Sequence, residues 1–226
     1  MENKWTEQDL MQIARQLSCP DGEEGIKTAQ RMAHTNDQMT QETYKVLQLS
    51  EGDQVLEIGP GNGNHVRNLM TAAEDLKYCG VDISETMVVA ANELNAELLE
   101  TGKVSFQLSP ADQLNFPSDF FDKIFTVNTI YFWEDPEAYA REIFRVLKPA
   151  GVFSLGFASR DFMEGLPFTK YRFNLYDKVT VETLLTKAGF SVLEFIEFID
   201  VTTSNTGVPV EREVLIARAT KISGLG

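Results

Sequence analysis

The chain has 226 residues, a formal charge of −14, 43% apolar and 24% charged residues, and two cysteines. This is enough apolar material for a substantial core in one large domain or two small ones. The acidic field repels phosphate backbones, the 20 Lys and Arg are scattered, and no apolar run approaches a membrane span, so nucleic-acid binding and membrane spanning are not expected.

The start, Met1-Glu2-Asn3-Lys4-Trp5-Thr6-Glu7, lacks the apolar stretch of a signal peptide. Cys79 falls in an expected buried strand, so neither a disulfide nor a metal site is expected, and cytoplasm is the expected location. Thr6 followed by Asp9 reads as a helix start, with Leu10, Ile13, Ala14 and Leu17 on one face. Cys19-Pro20-Asp21-Gly22 ends that helix. A second follows through Ile26, Ala29, Met32 and Ala33, and a third over 40–49. Ser50-Glu51-Gly52-Asp53 then turns into Val55-Leu56-Glu57-Ile58, a short buried strand. Gly59, Gly61 and Gly63 make a tight turn, and Val66, Leu69, Met70 and Ala73 recur at helical spacing. Glycine admits backbone angles closed to other residues and lets a ligand lie against the main chain. The helix start beyond it favours a negative group.

The alternation then continues. Strands are expected over 77–81 (closed by Asp82), 104–108, 121–127 and 152–157. Ser84 caps a helix running to about Glu100, and Pro136 opens another that Lys148-Pro149-Ala150-Gly151 stops. Alternating strands and helices imply a parallel sheet covered on both faces. Residues 159–176 are aromatic-rich without a clear period. A helix over 180–188 and two strands, 191–201 and 213–219, complete the chain. Ser204-Asn205-Thr206-Gly207 and Pro209 between them imply a hairpin with an antiparallel last strand.

The glycine spacing is G-x-G-x-G, with Glu57 two residues before the first glycine. A dinucleotide fingerprint needs a third glycine where Asn64 stands, although Asp82 would suit the ribose of either kind of cofactor. The stretch from Val55 to Gly63 resembles the first motif of class I S-adenosylmethionine-dependent methyltransferases. Gly80-Val81-Asp82-Ile83-Ser84 resembles their second motif, and Phe116 through Val127 the third. Arg145-Val146-Leu147-Lys148-Pro149-Ala150-Gly151 resembles their Arg-Val-Leu-Lys-Pro-Gly-Gly signature. The resemblance covers about residues 45–160. It implies an α/β fold with a seven-stranded, mostly parallel sheet, helices on both faces and an antiparallel last strand. It also implies one unit with a helical N-terminal lid (1–49), a cofactor-binding core (50–158), an acceptor-side insertion (159–178) and a C-terminal helix and hairpin (179–226).

What the resemblance implies can be carried over by residue. Gly59, Gly61 and Gly63 would let the amino-acid part of S-adenosylmethionine pass close to the backbone, and Glu57 would orient the turn or meet the ammonium. Asp82 would accept from both ribose hydroxyls. Ile83 and Met87 would pack on the adenine, with Ala111 and Asp112 at its edge. Asn128 and Thr129 would face the methionine part. Two positions depart from the pattern. Ser109-Pro110-Ala111-Asp112 replaces Gly-Asp-Ala-Glu, and Ala150 replaces a glycine.

The product would be S-adenosylhomocysteine and the acceptor a small molecule, as in the quinone and sterol methylases. Asn128 and Tyr131 match only the ends of the Asn-Pro-Pro-Tyr of amino-group methylases. Tyr131 lines an acceptor pocket or packs in the core. His34, in the covering segment, is a candidate general base, and Tyr131 a second catalytic candidate. Residues 159–176 read as an acceptor wall or as a homodimer contact. A protein methyltransferase, a non-catalytic cofactor binder and an NAD(P)-dependent oxidoreductase are the alternative readings.

Overall fold

The computed structural model describes residues 5–110, 112–203 and 208–222. A seven-stranded sheet has the spatial order β3-β2-β1-β4-β5-β7-β6. Its strands are β1 (Gln54–Ile58), β2 (Lys77–Asp82), β3 (Val104–Leu108), β4 (Phe121–Val127), β5 (Leu147–Ala158), β6 (Phe190–Thr203) and β7 (Pro209–Lys221). β7 runs antiparallel to both its neighbours, and the pairs β1/β2, β1/β4, β2/β3 and β4/β5 are parallel. The chain builds outward from β1 to β3 and then returns to β1's other side. The carboxyl ends of β1 and β4 are therefore the switch point at which such sheets open a ligand crevice.

Successive residues of the central strands point to opposite faces, and both faces are buried. Leu56, Ile124 and Phe153 join one apolar cluster with Ile143, Val146, Leu184 and Leu185. These last come from α7 (Pro136–Val146) and α9 (Lys178–Lys187). Val55, Phe125 and Val152 join a second cluster with Tyr44, Val66, Leu69 and Ala91, from α3 (Asp37–Lys45), α4 (Val66–Leu69) and α5 (Glu85–Leu94). Each such side chain contributes about 1.5–3 kcal/mol of burial, so the sheet is a rigid base for its loops. The caps follow the sequence. Thr6 and Asp9 form a capping box on α1 (Glu7–Ser18), and Ser84 accepts from the Met87 N–H.

Several expectations change in detail; β7, for one, begins at Pro209, which the sequence places in the loop before it. The third helix is α3, which ends at Lys45, and Gln48 then turns at φ 54°. The helix after the glycines stops at Leu69, where the Thr71 hydroxyl takes the Asn68 carbonyl at 2.7 Å, a local bond that competes with helix continuation. The helix from Ser84 breaks at Asn95, ahead of α6 (Ala96–Glu100). There the Asn95 amide reaches the Gly63 carbonyl at 3.2 Å and ties α5 to the glycine turn. β5 begins at Leu147 and is interrupted by a register shift opposite Phe121 and Lys123; Ala150 sits in that stretch at φ 64°.

The aromatic stretch beyond β5 forms α8 (Arg160–Glu164) and a 3₁₀ turn over Pro167–Lys170. The hairpin tip at 204–207 lies outside the described residues. α2 (Gly22–Thr35) crosses above the carboxyl end of the sheet: the Gly22 N–H meets the Thr86 hydroxyl at 3.3 Å, and the Ser84 hydroxyl donates to the Pro20 carbonyl. No helix of the described residues is long and apolar enough to cross a membrane.

Candidate functional site

Two small cavities of about 110 and 80 Å³ flank the glycine turn and share Pro20, Met32, Gly59, Gly61, Met87 and Val127. The three glycines sit at φ 74°, 57° and 64°, in the left-handed region. Their surroundings differ. A Cβ on Gly59 would lie 2.5 Å from Thr129 Cγ2, and one on Gly63 2.9 Å from the Asn95 amide and 3.0 Å from Phe106. Those two glycines are demanded by the protein's own packing, and Gly63 lines neither cavity. A Cβ on Gly61 would meet nothing within 4 Å. Gly61 alone keeps open space beside the backbone.

The larger of the two cavities is lined by Asp82, Ile83, Met87, Ser109, Asn128 and Thr129, among others. Asp82, at the end of β2, is 7% exposed. Its carboxylate accepts from the Gly61 N–H at 3.2 Å and the Ser84 N–H at 2.9 Å. Burial raises its pKa to about 6, against the lowering effect of the Ser84 and Gly61 amides. A carboxylate has about four acceptor positions, so others remain for a ligand. Ile83 is 49% exposed at the rim and Met87 is fully buried. Asp112 lines neither cavity, and its charge acts on Tyr139. Ala111 lies outside the described residues. Trp133 is both core and cavity wall. It stacks on Tyr139 with ring centroids 5.3 Å apart, lines the cavity, and donates to Thr129 Oγ1 at 3.3 Å.

On the other side of the turn, Glu57 is 2% exposed and takes His65 Nε2 at 2.7 Å and the Tyr78 hydroxyl. Burial opposes charge on His65, but the Glu57 carboxylate, by charge and hydrogen bond, outweighs it and holds the imidazole pKa above its ordinary value. Glu57 thus binds the turn to the following helix, and with His65 it lines the 80 Å³ cavity. His65, read from sequence, is one more residue of a helical pattern. Its bond to the motif acid appears only in three dimensions.

A third cavity, of about 330 Å³, adjoins these and shares Leu17, Met32, Asn128 and Phe132 with the Asp82 cavity. Its walls come from α1, α2, the turn after β4, the aromatic stretch beyond β5, and the hairpin. Asn128 faces both cavities from the left-handed region at φ 58°. Tyr131 lines the large cavity but is 2% exposed. Its hydroxyl receives the Ala158 N–H at 2.7 Å, with the Ala158 carbonyl at 3.1 Å and Asn128 Oδ1 at 3.2 Å. Burial raises its pKa, so at neutral pH it is a fixed, protonated phenol rather than a base. His34 is exposed and lines none of the three cavities. The covering segment does approach the site, but through Met32, Thr35 and Asn36, because helical rotation turns His34 outward.

With this geometry in place, residues 56–155 match the model of the family described as methyltransferase domain. The chain is 29% identical over 131 residues to the uncharacterized methyltransferase YdaC of Bacillus subtilis, spanning 58% of this chain and 70% of that protein. It is also 29% identical over 170 residues to an O-methyltransferase of Pyrenophora dematioidea, spanning 71% and 62%. Over that span the chain resembles the class I S-adenosylmethionine-dependent methyltransferases. Its fold is that of phosphoethanolamine N-methyltransferase 2 of Haemonchus contortus, whose structure holds S-adenosylhomocysteine. The TM-score is 0.68 at 16% identity, over 87% of this chain and 57% of that one.

The sequence motifs account for the residues around the glycine turn and miss most of the large cavity. Leu17, Pro20 and Met32 carry no motif, and Met32 lines all three cavities. Arg212 was also missed. A signal for it existed, since a charged residue in an inward-alternating strand lies directly opposite Asp200 across the hairpin.

Proposed function

We propose that the chain transfers the methyl group of S-adenosylmethionine to a small, largely apolar acceptor. The observation that carries this reading is the open face of Gly61 beside the buried Asp82 carboxylate, at the switch point of the sheet. A nucleoside with a ribose diol fits a carboxylate that is desolvated and has acceptor positions to spare. Gly61 leaves room for it to pass. Asp82 would take the ribose hydroxyls, Ile83 and Met87 the base, and the backbone of the turn the amino-acid end. When bound, the sulfonium supplies an electrophilic methyl group.

The chain's own task is then to hold the acceptor in line and keep water out. Correct positioning alone removes about 7–11 kcal/mol of a bimolecular barrier. The 330 Å³ cavity is the acceptor site in this reading, and Asn128 and Phe132 form the shared wall through which it meets the donor. Among its described lining residues there is no imidazole, and the lone carboxylate, Glu24, is paired with Lys27 at 2.7 Å. The acceptor atom must therefore arrive as a competent nucleophile.

Isothermal titration with S-adenosylmethionine and S-adenosylhomocysteine, with NAD and NADP as controls, tests the donor. Release of S-adenosylhomocysteine in the presence of candidate acceptors tests turnover. Binding of both sulfur nucleosides but neither dinucleotide is expected. Binding without release across phenols, acids and amines would favour a cofactor-binding protein, and binding of the dinucleotides alone would overturn the reading.

A further inference from the structure

Five aromatic side chains line the large cavity, and its wall also holds a buried cation. Phe173 packs on Phe132, Tyr131 and Phe168, with ring centroids 4.6, 5.7 and 5.7 Å apart. Beyond these rings lies Arg212 of β7, which lines the cavity and is 7% exposed. Its Nη1 donates to Asn36 Oδ1 at 2.8 Å, and its Nη2 to the Thr35 carbonyl at 2.9 Å and to Asp200. Its Nε–H has no partner among the described residues.

A buried guanidinium N–H with no acceptor keeps its desolvation penalty until something accepts that hydrogen bond. Arg212 is also close enough to Tyr131 for its charge to act on the phenol, and the Tyr131 hydroxyl is 3.2 Å from Asn128 Oδ1 at the wall shared with the donor cavity. The second cation on this wall, Arg31, makes no ion pair among the described residues. In a chain of net charge −14, this cavity's wall carries two arginines, of which Arg212 is paired with the buried Asp200 behind it and Arg31 is not, against one paired acid.

We propose that the acceptor is a planar, ring-bearing apolar molecule carrying an anionic oxygen, and that Arg212 binds that oxygen and fixes which acceptors the enzyme takes. The proposal rests on the methyltransferase reading for the word acceptor only. The binding site itself stands on the cavity and the unpaired N–H. Guanidinium suits an oxyanion because its fork is planar and always charged. The apolar rings supply affinity, and the single anchor supplies orientation, as in other small-molecule sites. A plain structural role for Arg212, tying the end of α2 to the hairpin, accounts for the bonds from Nη1 and Nη2 but leaves the Nε–H and the exposure to the cavity without purpose.

The test uses 2-naphthoate and its neutral isostere 2-naphthamide, titrated calorimetrically into the full chain with and without S-adenosylhomocysteine. Naphthoate should bind at least tenfold more tightly than the amide. In Arg212→Met that gap should close while S-adenosylhomocysteine affinity stays within twofold. Arg212→Lys keeps a charge beside Asp200 for folding but lacks the planar fork, and it should shrink the gap severalfold, which covers the case in which the methionine variant does not fold. Equal binding of acid and amide, no binding of either, or a gap that survives both variants would overturn the proposal. Failure to bind S-adenosylhomocysteine would instead count against the methyltransferase reading, and the naphthoate comparison would still decide the role of Arg212.

Discussion

Asp82 shows how a single residue links burial to ligand binding. Its carboxylate sits among backbone N–H groups yet is so desolvated that its pKa is about 6. In the ligand-free protein the shift is a cost. Relative to an ordinary carboxyl at 3.8, Asp82 contributes stability at low pH that is lost as pH rises through about 6. For a ribose diol the sign reverses, because hydroxyls donate to the anion and a bound proton competes with them. Affinity for S-adenosylhomocysteine should therefore be flat above pH 7 and about tenfold weaker at pH 5. Calorimetric titration over that range reads it directly, and Asp82→Asn, with no proton to lose, should give weak and pH-independent binding. A wild-type affinity unchanged between pH 7 and pH 5 would mean that Asp82 does not touch the ligand. The Asp82→Asn profile also separates any contribution from His65, whose imidazole pKa Glu57 holds above its ordinary value.

At the scale of the element, the strand–turn–helix unit around β1 combines two different uses of glycine. Gly59→Ala must take a left-handed backbone, at about 1–2 kcal/mol, and also displace Thr129, which Thr126 and Trp133 hold by hydrogen bonds of 2.5 and 3.3 Å. Gly61→Ala carries the backbone cost alone, since its Cβ would meet nothing in the protein. Thermal melts should thus show Gly59→Ala to be the more destabilised, by at least about 2 kcal/mol against about 1 for Gly61→Ala. Cofactor titration should show Gly61→Ala losing tenfold or more in affinity while remaining folded. Normal cofactor binding by Gly61→Ala would remove the turn from the ligand site.

The turn was legible because its function depends on backbone angles, which glycine spacing reports. The five parallel-sheet strands were equally legible from their apolar runs, and β3 and β4 match their expected bounds residue for residue. What depends on side chains meeting across the fold was not legible. The Asn95 bond to Gly63 shortens a helix that periodicity extends, and Met32 and Thr35 of α2, with Asn36 just beyond it, face inward rather than His34. The large cavity is assembled from segments far apart in the chain; the aromatic stretch over 159–176 and Tyr131 announce part of it, and nothing local announces the walls from α1, α2 and the hairpin.

Across the whole molecule, the proposed ligand site lies between two parts of unequal strength. One wall is the end of a sheet buried on both faces. The other is α1 and α2, whose fully buried residues are few: Ala14 and Gln16 in α1, and Gly25, Thr28 and Ala29 in α2. That segment is held to the rest mainly by polar contacts: Gly22 to Thr86, Ser84 to Pro20, and Thr35 and Asn36 to Arg212. An element with little apolar burial opens locally at low cost, while the central strands open only with the whole protein. Because Leu17, Ser18, Pro20 and Met32 line the same cavity as Asp82 and Gly61, a ligand there touches both parts and penalises the opening of the weaker one. Saturating S-adenosylhomocysteine should therefore slow amide exchange across α1 and α2 at labelling times of seconds to minutes. Over the same interval β1 and β4, protected with or without ligand, should not change. Exchange in α1 and α2 that ignores the nucleoside would place it on the sheet end alone, with the N-terminal helices serving only the larger cavity.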